Sequence, residues 1–102
     1  MAQIIRGTTP TLQYTFNTVT VANIAAAYLT IKQNNQILLQ KDLTAATVGA
    51  KTLSWTLTQQ DTLTIAAGQM SVMLNWKLQD GTRGASETSI VMVSSNHIEE
   101  VI

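Results

Sequence analysis

Between Gln69 and Gln79 the chain alternates apolar and polar residues so regularly that one face of an extended strand must lie in a core. Met70, Val72, Leu74, Trp76 and Leu78 share one parity, while Gln69, Ser71, Asn75, Lys77 and Gln79 share the other. Only Met73 breaks the pattern. A period of two puts the two sets on opposite faces of a strand. Asp80-Gly81 follows as a turn dipeptide, and Gly84 permits a second tight backbone position. Ala85 to Val93 then forms a return arm ending in Ile90-Val91-Met92-Val93. A long β-hairpin, Gln69 to Val93, is the expected centre of the fold.

Shorter elements of the same kind precede it. Residues 3–6 suit a short edge strand before Gly7-Thr8-Thr9-Pro10. Pro10 has no backbone donor and suits the entry to a strand better than its middle. Leu12, Tyr14 and Phe16 alternate with Thr11, Gln13 and Thr15, giving the next strand, and Asn17 to Asn23 reads as a connection. In Ile24 to Lys32, Ala25, Ala27, Leu29 and Ile31 fall on one face and Tyr28, Thr30 and Lys32 on the other. Its three alanines tolerate a helix, but Tyr28 to Ile31 favours a strand.

Asn34-Asn35 marks a hairpin. A two-residue loop sets Leu29 against Gln40, whereas a three-residue loop, Gln33 to Asn35, sets Ile31 against Ile37 and Leu29 against Leu39. Directly opposed residues share a face, so the longer loop is expected, with Asn35 in the left-handed region. Leu43 to Lys51 is a connection of small residues containing Gly49, and Leu53, Trp55 and Leu57 mark another strand. Thr58-Gln-Gln-Asp61 has the form of a helix N-terminal cap, predicting a helical turn or two over Asp61 to Ala67, ended by Gly68. Ser94 to Ile102 is a mixed tail.

Several short strands with turns between them and no long amphipathic helix predict an all-β chain. The expected architecture is an antiparallel two-layer, immunoglobulin-like β-sandwich with one short helical turn. At 102 residues it should form a single domain over residues 1–102, with 94–102 as its tail.

Composition limits what such a domain can do. Hydrophobic residues make up 45% and charged residues only 12%, the balance of a folded chain and not of a disordered one. Six basic and six acidic residues cancel, so no basic excess is available to neutralise phosphates and no nucleic-acid partner is expected. Low charge also leaves little self-repulsion to oppose association. No cysteine is present, which excludes disulfides and thiolate metal sites. Residues 1–7 lack the pattern of a signal peptide, and no stretch approaches the roughly 18 apolar residues of a membrane span. Assembly in the cytoplasm, without a membrane partner, is the expectation.

Few residues invite chemistry. His97 is the one histidine and stands near Glu99 and Glu100 in the tail, where it reads as solvated. Asp42, Asp61, Asp80 and Glu87 fall at a strand end, a helix start, a turn and a solvent face, and are not expected to form a glycosidase pair. Ser54, Ser71 and Ser89 lie in alternating strands without a nucleophile-elbow sequence, and Gly81 to Gly84 is a turn and not a phosphate loop. Trp55 and Trp76 fall on apolar parities and should be buried. Tyr28 shares its parity with Thr30 and Lys32, so it is either exposed or buried against another subunit. No catalytic residue, metal or cofactor is expected.

Three segments carry a resemblance. Ile4-Ile-Arg-Gly-Thr-Thr-Pro-Thr11 before an aromatic strand is the distinctive one. Leu57-Thr-Gln-Gln-Asp-Thr-Leu63 is the second, and the third runs from Asp80-Gly81 through Ala85-Ser86 to Ile98-Glu-Glu-Val-Ile102. Together they resemble short proteins encoded among the tail genes of phages and prophages, especially those of Firmicutes. A looser likeness is to the N-terminal sandwich domain of phage upper baseplate proteins, without the helical and receptor-linking regions that follow it there. The resemblance implies a non-enzymatic virion component at a tail, baseplate or neck, contacting copies of itself as a homo-oligomer and other virion structural proteins. A carbohydrate-binding or host-adhesion module is the alternative. Candidate interface residues are Ile4, Arg6, Thr8, Thr9, Pro10, Tyr28, Ile98, Val101 and Ile102, although Arg6 to Pro10 also reads as a turn that needs glycine and proline.

Overall fold

The computed structural model describes residues 3–102. Nine strands and one α-helix follow in the order β1 (Gln3–Ile5), β2 (Thr11–Thr15), β3 (Ile24–Gln33), β4 (Gln36–Asp42), β5 (Thr47–Val48), β6 (Thr52–Thr56), α1 (Gln59–Thr64), β7 (Gly68–Leu78), β8 (Arg83–Ala85) and β9 (Ser89–Ser94). Single 3-10 turns occupy Val21–Asn23 and Leu43–Ala45. One sheet has the order β1-β9-β7-β3-β4, with β8 also on β7, and the other has the order β2-β6-β5. In immunoglobulin terms β9, β7, β3 and β4 take the places of strands G, F, C and C′, and β2, β6 and β5 those of B, E and D. The chain is an immunoglobulin-like two-layer sandwich of variable-type strand order.

One pairing departs from the antiparallel expectation. β1 runs parallel to β9, with Gln3 beside Met92, Ile4 beside Val93 and Ile5 beside Ser94. The chain then turns at Gly7, with φ +83°, to enter the smaller sheet as β2. Because β1 and β2 belong to different sheets, β1 finds its partner in a strand nearly ninety positions away.

The hairpin between β3 and β4 is tighter than expected. Asn34 and Asn35 both lie in the left-handed region (φ 54° and 62°) as a two-residue loop, with Gln33 opposite Gln36. Asparagine suits both positions of a type I′ turn, whose twist matches the strands. The face mismatch that favoured a longer loop is resolved by a bulge. Lys32 opposes Ile37, but Ile31 opposes Leu39, so Leu38 is the extra residue. A second bulge at Ala25, between Ile24–Leu78 and Ala26–Lys77, turns Ala25 outward although the alternation placed it inside.

The faces between the sheets form one core. Leu29, Ile31, Leu53, Leu57, Ile65 and Leu74 are fully buried, and Trp55 is 1% exposed. The Trp55 indole Nε1–H donates to the Asp42 carbonyl at 2.9 Å, so its single polar group is satisfied. Trp76, expected to be buried, is half-buried. It meets Phe16 edge to face, with ring centroids 5.1 Å apart, and lies over the backbone of Gly84. A Cβ at Gly84 would stand 2.5 Å from the indole. Gly84→Ala is therefore expected to cost about 1–3 kcal/mol by chemical denaturation, through displacement of the ring. Unchanged stability would mean that the indole moves aside freely.

The helix starts earlier than expected, at Gln59, and ends before Ile65. Thr58 caps it: its hydroxyl accepts from the Asp61 N–H, and the Asp61 carboxylate accepts from the Thr58 N–H, both at 3.0 Å. Ile65 is drawn into the core with extended dihedrals and so stops the helix. Gly68, with φ +126°, opens β7 and does not end the helix.

Candidate interface at the helical end of the sandwich

At one end of the sandwich the turn after β1, the helix α1 and the tail after β9 are bonded together. Arg6 is the hinge of this assembly. Its Nε and Nη2 donate to the carbonyls of Ile65 and Leu63, each at 2.7 Å, and its Nη1 stands 2.8 Å from Glu99. Those carbonyls belong to the end of α1, where helical partners run out. Nearby, the Gly7 N–H donates to the buried Thr62 hydroxyl, which lies 2.9 Å from the Thr8 carbonyl. The Pro10 carbonyl accepts from the Leu57 N–H at 2.9 Å, leading the chain into register with β6.

The tail folds back on this platform. Asn96 Nδ2 donates to the Arg6 carbonyl at 2.9 Å, the Asn96 N–H donates to Glu99, and the Ile98 N–H to Asn96 Oδ1. Farther on, the Gln59 amide exchanges two bonds with the Ile102 backbone, at 2.7 and 3.0 Å. These bonds hold the tail backbone while Ile98, Val101 and Ile102 remain 55%, 57% and 86% exposed. Val101 lines a groove of about 470 Å³ with Thr9, Leu57 and the start of α1.

The expected interface residues thus divide. Ile4 leaves the set, because its side chain is buried in the core at 4% exposure. Arg6 does too, since its guanidinium is spent on its own subunit. Thr8 and Thr9 are exposed, Pro10 is half-buried, and Ile98, Val101 and Ile102 cluster at the same end. Tyr28 is exposed but stands apart, opposite Asp42 and Asn75 on the outer face of the larger sheet.

Two polar anchors escaped the sequence reading. Gln33 is buried, and its amide donates to the Ala66 carbonyl at 2.8 Å and accepts from the Ala66 N–H at 3.0 Å. Thr62, fully buried, fastens the Gly7 turn to α1. Gln33 shares the parity of Leu29 and Ile31, a signal that could have marked it as an inward polar group.

The carboxylates are engaged locally. Asp42 is held below its ordinary pKa by the Thr44 hydroxyl, and Asp80 by the Thr82 N–H. Burial opposes the charged form of Asp61, but the Thr58 amide and the Lys41 ammonium, 3.1 Å away, together lower its pKa. The Asn96 N–H and Arg6 do the same for Glu99. Burial raises the pKa of the Tyr14 phenol against a smaller opposing effect of Ser86. Among the described residues no three His, Cys, Asp or Glu groups converge as metal ligands, and no buried side-chain polar atom lacks a partner. The lowered Asp61 pKa carries a pH dependence. Its contribution to stability is complete above the ordinary value of 3.8 and is lost as pH falls through the lower folded value. Asp61→Asn should therefore be less stable than the wild type at neutral pH, with the gap closing in acid. Parallel pH curves for the two proteins would contradict the assignment.

No family model matches the chain, and no curated relative matches it. Among solved structures it is similar to that of murine CRIg, at 9% sequence identity, over 93% of this chain and 91% of that one, with a TM-score of 0.49. Nothing about function follows from so distant a likeness.

Proposed function

We propose that the protein is a non-enzymatic structural component of a phage virion, at its tail, baseplate or neck, assembled in the host cytoplasm. It acts by contacts with copies of itself and with other virion proteins. The observation that carries this proposal is the group Ile98, Val101 and Ile102, exposed yet held in place by bonds from Gln59 and Asn96. Ordering apolar side chains against water has a cost that a partner surface recovers. The group adjoins the Arg6-Gly-Thr-Thr-Pro10 segment, the most distinctive stretch of the sequence. Sugar stacking has less support, because Trp55 is buried and Trp76 packs on Phe16 and Gly84.

Removal of Ile98 to Ile102 tests the contact. The Glu99 carboxylate is exposed and screened by solvent, so losing its pair with Arg6 costs little and the truncated domain should stay folded by circular dichroism. It should also fail to enter particles in a complementation assay. Normal incorporation would remove the tail from the interface.

A further inference from the structure

The two sheets end in strands of different character. β1 has three residues and β5 has two, too short to template another chain. β4 has seven, but it carries the Leu38 bulge and ends in Lys41 and Asp42. Bulges, charges and short length are the devices by which edge strands avoid pairing. β2 has none of them, apart from a moderate length of five residues. Its sequence Thr-Leu-Gln-Tyr-Thr is uncharged and has no proline, and its register with β6 is unbroken.

The direction of its free groups follows from its ends. Pro10 and Phe16 bond to Leu57 and Lys51 on the β6 side, so the even-numbered residues between them also face β6. The N–H and C=O groups of Thr11, Gln13 and Thr15 therefore point off the sheet edge, and their side chains are exposed. Beside this edge Leu12, Tyr14, Val72 and Val91 line a groove of about 230 Å³ between the two sheets.

We propose that β2 pairs antiparallel with β2 of a second copy about a two-fold axis at Gln13, joining two three-stranded sheets into one of six. The strand is its own complement in this register. Thr11 opposes Thr15, Gln13 opposes Gln13, and these are the residues whose backbone groups are free. Leu12 opposes Tyr14 on the groove side, giving an aliphatic–aromatic cross-strand pair. The strand has no ionised group and the chain no net charge, so no repulsion opposes the two-fold contact. The pairing names a surface for the self-association proposed above and rests on that proposal for the meeting of like copies. A solution measurement separates the two. A monomer in solution overturns the pairing alone, and absence from virions overturns the virion role alone.

Sedimentation equilibrium of the purified chain should give twice the 11.1 kDa chain mass. Gln13→Lys sets two ammonium groups across the axis and should raise the dimer dissociation constant at least about tenfold. Gln36→Lys, on the exposed β3–β4 hairpin, should dimerise as the wild type does. Hydrogen exchange gives a readout free of substitutions: the Thr11, Gln13 and Thr15 amides should slow as protein concentration rises. A monomeric wild type, a Gln13→Lys dimer of unchanged affinity, or concentration-independent exchange at these amides would each overturn the pairing. A dimer that survives Gln13→Lys would use another face, such as that of Tyr28.

Discussion

Trp55→Ala is expected to lower stability by about 3–5 kcal/mol, the range for deleting a buried large aromatic. Trp55 is 1% exposed and packs where the smaller sheet meets the larger. The loss has two parts: a cavity on the β6 side of the core, and an Asp42 carbonyl without its 2.9 Å donor. Phenylalanine at this position should recover much of the packing and none of the hydrogen bond. Trp55→Phe should therefore fall between alanine and the wild type in urea denaturation. Equal losses for phenylalanine and alanine would show that the hydrogen bond, and not the packing, dominates.

Arg6→Met should cost about 2–4 kcal/mol, although its position on a turn suggests a surface residue. Methionine retains the apolar stem but removes the donors to Leu63 and Ile65 and leaves Glu99 without its cation. Bonds to charged groups contribute about 1.5–3 kcal/mol each and are not additive, which sets the range. Glu99→Gln provides the contrast. It removes only the charge of the exposed partner of Arg6, so a much smaller loss than that of Arg6→Met is expected. If Arg6→Met unfolds at the same urea concentration as the wild type, the guanidinium does not hold the helical end together.

Alternation made most of the strands legible, because a half-buried strand writes its two faces into the chain. The cap at Thr58 and Asp61 was equally local and equally readable. What escaped depended on partners distant in sequence. Three residues, Gln3 to Ile5, are too few to show which parity faces inward, so the burial of Ile4 followed only from the parallel pairing with β9. Parity gave Trp76 its side of the sheet but not its depth, which Phe16 and Gly84 set. The bulges at Leu38 and Ala25 each shift a register by one residue, and no composition signal marks them. At the candidate site, the exposed tail residues Ile98, Val101 and Ile102 were visible as apolar residues beyond the last strand. The bonding of Arg6 was not legible because the carbonyls it serves lie in the last turn of α1 and just beyond it, more than fifty positions along the chain. Immunoglobulin-like strand order is present here without the Cys…Trp…Cys signature, since there is no cysteine and the fully buried tryptophan sits on β6 instead of the C-strand position held by β3.

The proposed virion role is tested most directly by a subunit map of the purified particle, combining mass spectrometry of its proteins with cryo-electron microscopy. This chain is expected in symmetry-related copies on the tail, baseplate or neck, with Ile98, Val101 and Ile102 covered by a neighbouring subunit. A complete particle without the chain, or one in which that end faces solvent in every copy, would contradict it.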